Sequence, residues 1–76
     1  MPDPIYLPFL LVLKEEVEVA EIRSLVEQIP EVQCSHIKFI GSSKLYAQIV
    51  VEMHNYTAIK ELFALLMQAP FTSDIL

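Results

Sequence analysis

The chain has 76 residues, 54% of them hydrophobic, a mean hydropathy of +0.46 and a formal net charge of −5. A chain this short forms one domain that buries only ~60% of its unfolded surface, and a single cysteine, Cys34, provides neither an internal disulfide nor a self-contained zinc site. No basic stripe is present to track phosphates, and the apolar runs Phe9 to Leu13 and Leu62 to Met67 are far below the ~20 residues of a membrane-spanning helix.

Residues 1–8 carry prolines at positions 2, 4 and 8 and read as an extended leader barred from helix. Phe9 to Leu13 is an unbroken apolar run, the pattern of a strand covered on both faces. Pro8, which lacks a donor, is expected at its first position. From Val17 or Glu18 to Ile29, the residues Val19, Ile22, Leu25, Val26 and Ile29 recur at helical spacing. Glutamates gather at the helix start, where the macrodipole favours them, and Pro30 ends it. Most of the acids lie before Val32 and read as the solvated face of this helix.

Cys34 to Met53 reads as a β-hairpin. In its second arm Leu45, Ala47, Ile49, Val51 and Met53 share one face, and Tyr46, Gln48, Val50 and Glu52 share the other. In the first arm Ile37 and Phe39 form the apolar set. Parity fixes the register. Pairing Ile40 with Leu45 would place the two apolar sets on opposite faces, so a one-residue slip is required. Gly41 opposite Leu45, around a loop Ser42-Ser43-Lys44, supplies it. Phe39 then faces Ala47 and Ile37 faces Ile49 on the buried side. Ile40 faces Tyr46, Lys38 faces Gln48 and His36 faces Val50 on the outer side.

Asn55 or Thr57 is the candidate N-cap of a second helix, Ala58 to Gln68, with Ile59, Leu62, Phe63 and Leu66 as its buried stripe. Residues 71–76 read equally as a short last strand or as an unfixed end. The order is strand, helix, strand, strand, helix, with a last strand left open. It describes an α+β, ferredoxin-like split βαβ plan: an antiparallel sheet with two helices on one face and the other face uncovered.

Four constellations invite chemical readings. Cys34 and His36, two apart on one strand, fall on one face by strand alternation, which suits a thiolate–imidazole pair as well as a filler thiol beside an exposed imidazole. His54 lies about 13 Å along the strand from His36, too far to share one ion. Gly41 to Lys44 lacks the spacing of a phosphate loop and reads as a turn. The segment Asp74-Ile75-Leu76 has the hydrophobic character gripped by strand addition in peptide-binding grooves. The outer hairpin face, with Ile40, Tyr46 and Val50 interleaved with His36, Lys38 and Gln48, has the apolar centre and polar fringe of a partner-binding surface.

The run from Ile22 to Leu66, with its Ile29-Pro30-Glu31-Val32 link, His36 strand, Gly41 turn and second helix, resembles the cytoplasmic C-terminal domain of cation diffusion facilitators. This second helix lacks the histidine and aspartate ligands of those domains, so no metal residues carry over. With Phe9 to Leu13 as first strand, the chain also looks like the small assembly chaperones of periplasmic nitrate reductase, which grip a twin-arginine signal peptide on an open sheet. Both resemblances imply a non-catalytic ferredoxin-like module. The expectation is a cytoplasmic protein-interaction or oligomerisation module, a homo-oligomer or a subunit of a larger complex, that binds neither nucleic acid nor membrane and needs no cofactor. A peptide-binding chaperone is the alternative, and a ligand- or metal-sensing domain is the third reading.

Overall fold

The computed structural model describes residues 3–76, so Met1 and Pro2 of the expected leader lie outside the described residues. The elements are β1 (Ile5–Leu13), α1 (Val19–Val26), β2 (Gln33–Ile40), β3 (Tyr46–Met53), α2 (Ala58–Gln68) and β4 (Thr72–Ile75). The sheet order is β2-β3-β1-β4, with antiparallel pairing throughout. This is the ferredoxin-like split βαβ arrangement, with β1 and β3 central.

The hairpin register is the one that side-chain parity demands. Phe39 pairs with Ala47, Ile37 with Ile49, Ile40 with Tyr46, Lys38 with Gln48 and His36 with Val50. At the turn, Gly41 and Lys44 adopt positive φ of 81° and 58°. For Lys44 that conformation is strained, since only glycine enters it without steric cost.

The start of β1 and the end of α1 differ from the sequence expectation, and the open question of the last strand is decided. β1 begins at Ile5, so the second half of the supposed leader is strand and Pro8 sits in its middle, opposite Val50. Strand alternation explains how proline is tolerated there. The Leu13 amide donates toward β3, to the Leu45 carbonyl, whereas Leu10 exchanges both backbone bonds with Leu76 on the other side. Even-numbered β1 residues therefore turn their backbone groups away from β3. At Pro8 that direction lies past the span of β4, which pairs only from Leu11 to Leu13, so no ladder bond is lost.

α1 closes at Val26, three residues before Ile29, and continues as a turn in which the Ile29 amide bonds the Val26 carbonyl at 3.3 Å. Ile29 stays buried without helical backbone, because the chain must reverse before Pro30 and does so with Glu31 at φ 70°. Residues 72–75 complete the sheet as β4, with a bulge that leaves Ser73 of β4 as the extra residue opposite the Val12–Leu13 step.

The core lies between the inner sheet face and the two helices. Leu11, Ile22, Val26, Ile49, Val51, Met53, Leu62 and Leu66 are fully enclosed, each contributing roughly 1.5–3 kcal/mol through burial. Phe9 and Phe63 meet edge to face, with ring centres 5.6 Å apart and planes at 84°. The Thr72 hydroxyl is also buried there without a hydrogen-bond partner.

Candidate functional site: the open sheet face

No described helix lies over the outer face, and the three ladders arrange its residues in rows. The row through the end of β3 is Gln33, Glu52, Tyr6. The next is His36, Val50, Pro8. Then come Lys38, Gln48, Leu10, with Leu76 beside Leu10, and finally Ile40, Tyr46, Val12, Asp74. The six residues singled out from the hairpin therefore form one contiguous half of the face.

Sequence reasoning missed the other half. Leu10 and Val12 belong to a run read as covered on both sides, yet the only cover on their outer side comes from neighbouring side chains, and both stay half-exposed. Tyr6, Pro8, Asp74 and Leu76 join them once β1 is extended and β4 is formed. The available signal was the alternation from Ile5 to Leu13, which places every odd residue inward.

The face is apolar in its middle and charged at its borders. Tyr6, Ile40 and Tyr46 expose 56%, 42% and 45% of their surface. A shallow hollow lies over Gln48, edged by Pro8, Leu10 and Ile40. Lys38 and His36 stand on the β2 border, Asp74 on the β4 border and Glu52 at the end of β3. Glu52 lies directly across from Tyr6, and its hydrogen bond and negative charge push the Tyr6 hydroxyl above its ordinary value.

The β2 edge, and the stretch of β1 that β4 leaves uncovered, are partly closed to strand addition. On β2 the ladder shifts between Cys34 and His36, leaving Ser35 as the extra residue. Just before this bulge, α1 reaches over the edge. The Arg23 guanidinium donates to the Cys34 carbonyl at 2.7 Å, and the Cys34 amide donates to the Glu27 carboxylate at 3.3 Å. On the opposite side, Pro8 removes a donor from the stretch of β1 that β4 does not cover. Bulges, proline and covering side chains are the usual means of blunting an edge.

The bulge also overturns the expected shared face of Cys34 and His36. The extra residue turns Cys34 inward, where it is 3% exposed, and leaves His36 outside. The thiol instead points to the His36 carbonyl, with Sγ 3.8 Å from the oxygen, and burial raises its pKa. The thiolate–imidazole pair is not assembled.

His54 lies exposed beyond β3, beside a hollow it lines with Glu31 and Glu61. Among the described residues no group of three or more histidine, cysteine or acidic side chains is placed to hold a metal ion. No described helix is long and apolar enough to cross a membrane.

Fold and face together describe a small ferredoxin-like α+β module with an uncovered, partly apolar sheet. No protein-family model, curated protein or solved structure matches the chain.

Proposed function

We propose that the chain is a non-catalytic protein-interaction module whose outer sheet face receives a protein partner. The observation that carries this reading is the apolar surface of that face, formed by Val50, Tyr46 and Ile40 from the hairpin and Pro8, Leu10 and Val12 from β1, which surrounds Gln48. Contiguous apolar surface rimmed by polar groups marks contact sites. The blunted β2 edge favours binding across the face over strand addition there, and a chaperone that grips a signal peptide on this open face remains the alternative reading. A single buried thiol suits a reducing compartment, and we place the protein in the cytoplasm.

The test is a charge in the middle of the face. Val50→Glu is expected to leave the fold intact while abolishing association, read as self-association by light scattering and as co-purification of any second protein from the native source. Association unchanged in both readouts would sink the reading.

A further inference from the structure

The proposed interaction surface fits a second copy of the same chain, and we infer that two copies stack face to face about a two-fold axis running along the strands between β3 and β1. This rests on the interaction-module reading and adds the identity and orientation of the partner. A two-fold contact must be self-complementary. With the axis along the strands, each β1 lies on the partner's β3 and each β2 on the partner's β4. The row order then places Pro8 on Val50, Val12 on Tyr46 and Leu10 on Gln48, each contact occurring twice. Leu10 thus meets the hollow over Gln48, the one concavity on this face among the described hollows.

Charge selects between the simple alternatives. An axis across the strands would stack β2 on β2, bringing Lys38 and His36 of both copies together. The axis along the strands sets Lys38 over the partner's Leu76, just past the end of β4, and Ile40 over the partner's Asp74, so that the Lys38 side chain has one row to cross to reach Asp74. Opposite charges meet at the rim, and like charges are kept apart.

The area is sufficient. Three strands ~4.8 Å apart over six residue steps of ~3.3 Å, widened by β4 along part of that length, give a face of at most about 19 by 20 Å. Covering it on both copies, with its side-chain relief, removes on the order of 1,000 Å² of accessible surface, the lower end of specific interfaces.

The experiment is a charge-swap mixing series with the full chain, followed by sedimentation across concentration. Lys38→Glu alone and Asp74→Lys alone each turn both rim pairs repulsive, and each is expected to weaken the dimer about ten-fold. An equimolar mixture of the two variants makes both pairs attractive again, so a heterodimer with near wild-type affinity is expected. That recovery also shows that each variant is folded. If the wild-type chain dimerises and Val50→Glu abolishes the dimer, but the mixture recovers nothing, the orientation is wrong while the face reading survives. A wild-type chain that stays monomeric at all concentrations overturns the second copy as partner. The Val50→Glu co-purification result then decides the face reading separately.

Discussion

The two faces of this sheet are built from similar residues and meet different surroundings. β1 shows this most directly. Its inward residues Ile5, Leu7, Phe9, Leu11 and Leu13 and its outward residues Leu10 and Val12 are all apolar, with Tyr6 and Pro8 completing the outer row. The inner set is sealed by Ile22 and Val26 of α1 and Leu62 and Leu66 of α2. The outer set has no helix over it. Hydrophobicity along a strand therefore reports how much apolar surface must be covered and not which molecule covers it. On the inner face the chain covers itself; on the outer face it leaves the surface bare, and the proposed partner would cover it.

This contrast breaks most sharply at the helix–sheet core. Leu66→Ala is expected to cost about 2–5 kcal/mol in a domain whose total stability is on the order of 4–11 kcal/mol. Denaturant melts in the dilute limit should show much of that stability gone. Arg23→Ala, which strips the charged donor from the Cys34 carbonyl, is expected to cost about 1 kcal/mol. Hydrogen exchange should show faster opening along β2, confirming that α1 closes that edge.

Thr72→Val should act in the opposite direction. It replaces the unpartnered buried hydroxyl with a methyl of similar size and is expected to stabilise by about 1 kcal/mol, measured by the same melts. On the outer face, Tyr46→Ser should change dilute-limit stability by no more than about 0.5 kcal/mol. A loss comparable to that of Leu66→Ala would erase the distinction between the faces.

The smallest effect concerns Tyr6. Its hydroxyl titrates above the usual tyrosine value because Glu52 faces it. A raised folded-state pKa contributes stability that is present below the unfolded value near ~10 and is lost as pH rises through the folded value. Ultraviolet titration should show the Tyr6 transition moving to lower pH in Glu52→Gln.

The parts of the fold legible in the sequence were those with strong periodicity. Strict alternation from Leu45 to Met53 allowed one register against Ile37 and Phe39, and the structure has that register. Helical spacing in Ile59, Leu62, Phe63 and Leu66 placed α2 with its bounds. Illegible features were decided by distant partners. Pro8 suggests a strand start until β4 is known to stop short of it. Thr72 to Ile75 is short and polar but for Ile75, and it becomes a strand because Leu11 to Leu13 offers an unpaired edge. Ser35 carries no mark of a bulge, yet it alone separates Cys34 from His36. The hairpin half of the candidate site was readable from its outward residues. The β1 half was hidden because a strand apolar on both sides looks the same whether its second face is covered by its own chain or left bare.

The position of β1 also has a kinetic consequence. The β2–β3 hairpin closes around a short loop and belongs to the microsecond class of events. β1 is made first but must wait for β3, since Ile5 pairs with Met53 across more than half of the chain. Until that long closure occurs, the inner flank of β3 from Ala47 to Met53 is an unsatisfied apolar edge. Slow, late docking of β1 is therefore expected to limit folding and to be the stage most prone to exchange of β1 between chains.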